Sequence, residues 1–283
     1  MKRFILIQLV LGLCFGMGQL AAQDEPPTIK VQKVAEGVYL YSYNIHNSLF
    51  VVANDTVLVT DPQNTDSAQL YLKEIRKITQ APVRYMVYSH RHGDHISGGD
   101  QFGSGFTTIG HVNMQGKLGP TSYGERLPLE VSFSDQMSVF LGDLEVRLIY
   151  PGPNESDDNI IVFIPDRKVA FMVDTVGVRR LPWRVFSGGK PSNWRDALEI
   201  LADLDFDVLA PGHGVIGGKE HVVEYVEYID DLIDAVRGRM DQGESLEQIQ
   251  ESLQLPKYSD WIFYEQFLKM NIEAVHKEIS EAR

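Results

Sequence analysis

Seven residues constrain this chain more than any other stretch: Ser89-His90-Arg91-His92-Gly93-Asp94-His95, set directly after the apolar run 83–88. A short apolar run bounded by Pro82 and the polar Ser89 reads as a buried strand. Three imidazoles and a carboxylate at its end must then share a small volume at a sheet edge, where loops converge without disturbing the core. Neutral nitrogen and anionic oxygen donors at such density suit zinc and similar divalent ions. The competing reading is a loop of solvated histidines. The chain has only 8 histidines in 283 residues, so three within six positions favour ligation.

The flanking pattern says what surrounds that edge. Residues 38–43, 48–53 and 56–60 are β-rich, and Asn54-Asp55 supplies a tight hairpin turn between the last two. Leu70, Ile75 and Ile78 have helical spacing within 66–78, ahead of the strand at 83–88. A second β-rich block covers 131–133, 136–141, 144–150, 159–164 and 169–173, with turns at Gly142-Asp143 and Asp166-Arg167. Helices are predicted over 193–202, 219–240, 246–253 and 260–282, with a strand at 208–210 among them. Each sheet must bury one face on the other and one under helices, so this order predicts an α/β fold, a four-layer αββα sandwich. There is no internal repeat or linker. Residues 23–283 are expected to form one domain with a helical C-terminal extension.

Met1-Lys2-Arg3, the apolar run 4–18 and Ala21-Ala22 before Gln23 have the charge, length and cleavage chemistry of a secretory leader over 1–22. The apolar run falls short of the ~20 residues a bilayer span requires. No stable membrane anchor is therefore expected, and the mature chain would be periplasmic or secreted. Cys14 is the only cysteine, and bulky Leu13 before it disfavours a lipid anchor. With the leader removed, disulfides, thiolate ligands and a cysteine nucleophile are all excluded. A net charge of -13 argues against nucleic acid as a partner and leaves a small-molecule substrate. Oligomeric state is not legible.

The histidine segment resembles the His-x-His-x-Asp-His signature of the metallo-β-lactamase fold superfamily, and further segments match in the family's order. Phe171-Met172-Val173-Asp174 resembles the strand ending in a metal-bridging aspartate, and Ala210-Pro211-Gly212-His213-Gly214 the loop with the last histidine ligand. Asn47-Ser48 with Asp61 resembles the opening hairpin and its supporting aspartate. One segment departs. When Asp158-Asn159 is matched to the family's Asp-Asn pair, the usual histidine position falls on Glu155. Type III alkylsulfatases of this superfamily, much longer chains, resemble it in placing a glutamate there. Glu155 therefore either ligates the first metal or leaves only the Asp94/His95/His213 site well occupied.

The resemblance implies two ions, zinc foremost with manganese or iron as alternatives. His90, His92 and Glu155 would hold one, Asp94, His95 and His213 the other, and Asp174 would bridge. Asp94 would also orient a hydroxide formed from metal-bound water, whose pKa can fall to about 7. The expected function is an exported hydrolase of an ester, lactone, amide or sulfate bond. An iron-dependent redox enzyme of the same fold and a non-catalytic metal-binding protein remain as alternatives. The basic, aromatic loop Val178-Arg179-Arg180-Leu181-Pro182-Trp183-Arg184 could hold an anionic or acyl substrate, or be a solvated loop. His46 could overhang the metals or be an ordinary turn histidine. His111, His221 and His276 fall on predicted helices and are read as structural.

Overall fold

The computed structural model describes residues 26–283, and the expected leader with Cys14 lies outside them. The chain opens with strands β1 (Ile29–Ala35), β2 (Val38–Tyr43), β3 (His46–Ala53) and β4 (Thr56–Thr60) as an antiparallel meander. Asn54 and Asp55 both adopt positive φ, 46° and 52°, which is what a two-residue turn matched to strand twist demands. Helix α1 (Thr65–Ile78) starts where the Asn64 side chain accepts a hydrogen bond from the Ser67 amide, and it buries Ala68, Tyr71 and Ile75 at helical spacing. Three parallel strands then extend the same sheet: β5 (Val83–Val87), β6 (Thr107–His111) and β7 (Val131–Phe133). Between β5 and β6 a single turn, α2 (Gly93–Ile96), carries Asp94 and His95.

The second sheet holds β8 (Gln136–Leu141), β9 (Leu144–Ile149), β10 (Ile161–Ile164), β11 (Val169–Met172) and β12 (Val208–Pro211) in the order β12-β11-β10-β9-β8. The chain alternates along β9, burying Leu144, Val146 and Leu148 toward the first sheet. A core including Leu49, Leu58, Val87, Val162, Phe171 and Ala210 fills the space between the sheets. The outer face of the first sheet packs Phe50, Val57 and Met86 on α1. The outer face of the second is covered by α3 (Pro191–Asp203), α4 (Lys219–Asp241) and α6 (Tyr264–Glu281), with the short α5 (Leu246–Ser252) between the last two. The four-layer αββα arrangement expected from the pattern is thus present. No described helix is long and apolar enough to cross a membrane.

Three differences from the sequence reading have physical reasons. β1 occupies a stretch to which the sequence pattern assigned no element, because Ile29 and Val31 alternate with Lys30 and Gln32 for only four residues before Lys33 breaks the alternation at an exposed sheet edge. The final helix starts at Tyr264, four residues after the expected position, since Phe263 takes a left-handed conformation at its N-cap. His111 ends β6 rather than lying on a helix; its ring is buried and stacked on Tyr150 at 3.8 Å, with Nε2 at 2.8 Å from the Ser134 carbonyl. His221 and His276 do lie on helices, α4 and α6.

Candidate metal centre and active site

All the expected ligands but Glu155, which lies in the β9–β10 loop, leave the end of a strand at one edge of the sandwich. β5 delivers His90 and His92, α2 turns Asp94 and His95 back toward them, β11 ends before Asp174, and β12 ends before His213. Asp174 itself has φ of 60°, a conformation that aspartate tolerates better than most residues and that aims its carboxylate across the edge. Gly212 is needed before His213. A Cβ there would meet the Val173 side chain at 2.5 Å and its Cα at 2.9 Å.

The donors form two facing sets, His90 with His92, Glu155 and Asp174, and Asp94 with His95, His213 and His46; within each, one ligand atom per residue lies within 4.8 Å of the others. Asp174 joins them. Its Oδ2 is 3.4 Å from His90 Nε2, while its Oδ1 is 3.4 Å from His95 Nε2 and 2.8 Å from His213 Nε2. Glu155 meets His92 Nδ1 at 3.4 Å and His90 Nε2 at 3.8 Å. Four donors about 2.0–2.2 Å from one ion stand roughly 3.3 Å apart at the edges of a tetrahedron, so these spacings fit a zinc-like ion in each set. Buried Glu155 Oε2 has no hydrogen-bond partner among the described residues, consistent with a ligand in waiting.

Charges in the site oppose one another strongly. Burial works against a charge on His90, but Asp174 at 3.4 Å and the carboxylate of Glu155 outweigh it and raise its pKa to about 10. Burial and repulsion from His90 bring His92 down to about 4. Burial lifts Glu155 above the ordinary carboxylate range. Burial acts on Asp174 in the same direction, yet the charge of His95 and its contacts with His213 and His90 hold it well below that range. Asp94 also lies well below it, because His46 and His95 outweigh its burial.

A scaffold of hydrogen bonds fixes the donors. Asp61, fully buried, accepts from the Ser89 amide at 2.8 Å and so pins the end of β5. Ser89 Oγ lies 3.0 Å from His90 Nδ1, which leaves Nε2 to face the site. Asn47 donates to the carbonyls of Pro211 and Gly214, both at 2.9 Å, tying the opening hairpin to the His213 loop. Two devices escaped the sequence reading. Arg91 reaches from the histidine segment to Asp157 and, at 2.8 Å, to buried Asp158, clamping the loop that carries Glu155. Asn154 Oδ1 accepts from the Glu155 amide at 2.7 Å and from Thr175 Oγ1 at 2.6 Å, which couples that loop to the strand end bearing Asp174. An arginine inside the ligand segment and an Asp157-Asp158 pair beside Glu155 were the available signals.

The centre opens into a cavity of about 690 Å³ whose lining includes His46, Asp94, Glu155, Arg180, Trp183 and Arg184. Val176, Leu181, Val185 and Tyr225 make much of its wall apolar; Leu181 belongs to the loop singled out in the sequence, and the other three did not stand out there. Arg180 lies against Phe263 at 4.9 Å and Trp183 at 6.0 Å, with no carboxylate among the described residues paired to it. Arg179 pairs with Asp260 at 3.2 Å and is not among the residues lining the cavity. Trp183 is 42% exposed, its ring edge-on to Phe267 of α6 at 4.8 Å.

A sequence profile described as the metallo-beta-lactamase superfamily matches residues 43–213. The chain is 25% identical to a linear primary-alkylsulfatase of Pseudomonas sp. (strain ATCC 19151) over 71% of its own length, and spans 48% of that protein. In structure it is similar to a metallo-beta-lactamase from Pontibacter korlensis, with TM-score 0.62, 18% identity and coverage of 72% of this chain and 99% of the other. It is also similar to a stereoselective inverting sec-alkylsulfatase from Pseudomonas sp., with TM-score 0.70, 15% identity and coverage of 88% and 50%.

Proposed function

The chain belongs to the metallo-β-lactamase superfamily, and on that premise we propose that it is a metal-dependent hydrolase of an ester-type bond in a small anionic substrate with an apolar group. The observation that carries this reading is the pair of facing ligand sets joined by Asp174 at the floor of a largely apolar cavity. Two zinc-like ions held there would supply Lewis acidity and lower the pKa of water toward about 7. The chain's own residues would do the rest. Asp94, kept ionised by His46 and His95, is available to accept a proton from, and so orient, an attacking water. Leu181, Val185 and Tyr225 would exclude bulk water from the reacting group. Arg180 offers an unpaired guanidinium to a sulfate or carboxylate oxygen.

Similarity to an alkylsulfatase supports sulfate esters as the first class to examine. A panel of chromogenic sulfate esters, carboxylic esters, phosphodiesters and a cephalosporin, each with zinc, manganese and iron, tests the proposal. Turnover of an anionic ester that chelation abolishes and zinc restores is expected. A chain that turns over none of them with any metal would overturn it. The export expected from the leader is proposed alongside, and is checked by sequencing the N-terminus of the protein recovered outside the cytoplasm.

A further inference from the structure

His46 stands out because the function just proposed does not need it as more than a neighbour of Asp94. It lies at the first position of β3, where its backbone bridges to His213 across the gap between the sheets. The Asn47 amide donates to the Gly212 carbonyl at 2.7 Å, and the Asn47 side chain adds its two bonds to Pro211 and Gly214. His46 is thus held by the same contacts that position His213, not carried on a free hairpin tip. Its Nε2 is 3.5 Å from Asp94 Oδ2, and its ring centroid is 4.6 Å from that of His213 and 5.4 Å from that of His95. Across the same volume, His95 Nε2 stands 3.1 Å from His213 Nε2 and 3.8 Å from Asp94 Oδ2. Four ligand atoms from four residues therefore lie within 4.8 Å of one another, a spacing that four donors to one ion can adopt.

We propose that His46 is itself a ligand of the second ion, completing the set His46, Asp94, His95 and His213. This rests on the reading of the site as a two-ion centre. Three neutral imidazoles and one carboxylate are a zinc-type donor set. Asp174 presents Oδ1 to this set and Oδ2 to His90. The second ion is thereby offered one more protein ligand than the first, which has His90, His92, Glu155 and Asp174.

Calorimetric zinc titration of the wild type, His46→Ala and His46→Gln, together with proton spectra of their cobalt(II) forms, tests the assignment. The wild type should bind two ions. Its cobalt spectrum should contain hyperfine-shifted exchangeable signals from five imidazoles: His46, His90, His92, His95 and His213. Each variant should bind one ion at least tenfold more weakly, the lower end of what loss of even an outer contact to a ligand produces. Each should also lose one shifted imidazole signal. Wild-type affinity for both ions in the variants, with an unchanged signal count and only KM altered, would overturn the proposal in favour of a substrate contact. Four shifted imidazoles in the wild-type cobalt spectrum, with the same four retained in His46→Ala, would exclude His46. A wild type that binds fewer than two ions would instead overturn the two-ion reading beneath it.

Discussion

At the scale of single residues, the site is a contest between burial and charge, and Asp94 is where the outcome matters most for turnover. Asp94→Ala removes both a candidate ligand and the carboxylate placed to orient water, so turnover should fall by at least about two orders of magnitude. Steady-state kinetics on protein with its metal content measured would check this, and unchanged turnover with ions still bound would contradict it. The protonation states carry a second prediction. His90 holds its proton up to about 10, and burial makes Glu155 reluctant to ionise, yet both must be deprotonated to ligate. His92, lowered to about 4, is already neutral near neutral pH. Ion uptake should therefore release protons, and affinity should weaken as pH falls, because acid keeps those protons in place. Zinc calorimetry in buffers of different ionisation enthalpy would read the release; a buffer-independent heat would contradict it. The ligand candidates other than Glu155 were legible because they crowd into six residues or follow apolar runs, and Glu155 was found only through its spacing from Asp158-Asn159. Arg179 and Arg180 were indistinguishable in sequence: adjacent in the chain, they turn to opposite sides, one to Asp260 and one to the cavity.

Among elements, α6 does more than pack. From its buried face Asn271 donates to the carbonyls of Pro182, at 3.1 Å, and Arg184, while accepting from Tyr228 at 2.7 Å. Those carbonyls bracket Trp183, so a helix from the end of the chain shapes the cavity wall. Asn271→Ala would leave three polar groups without their partner, at a cost of about 1–3 kcal/mol for each left fully buried. We expect KM to rise several-fold with ion stoichiometry unchanged, measured by kinetics and elemental analysis on the same preparation. An unaltered KM would sever the link between α6 and the substrate loop. Nothing local announces this contact, since the partners are 87 and 89 residues apart in the chain. Elements with strong periodicity, such as α1 and β9, were legible for the opposite reason. β6 was missed because Thr107-Thr108-Ile109-Gly110-His111 carries neither period, and it is a strand only through its parallel neighbours β5 and β7.

For the whole molecule, the ions would count toward stability as well as chemistry. At a free concentration a thousandfold above its dissociation constant, each would add about 4 kcal/mol to the folded state. Chelation should thus lower the thermal midpoint substantially, as scanning calorimetry would show, and an unchanged midpoint would mean the sites are not loaded. The bond between His46 and His213 segments, joining one sheet to the other, has a further consequence. His46, His90, His92, Asp94 and His95 come from the chain before β8, whereas Glu155, Asp174 and His213 come after it. Neither half owns a complete nest for an ion. Tight capture therefore has to wait until both halves have docked, and the moment a refolding chain becomes resistant to a chelator marks the closing of the sandwich, with the metal serving as the clock.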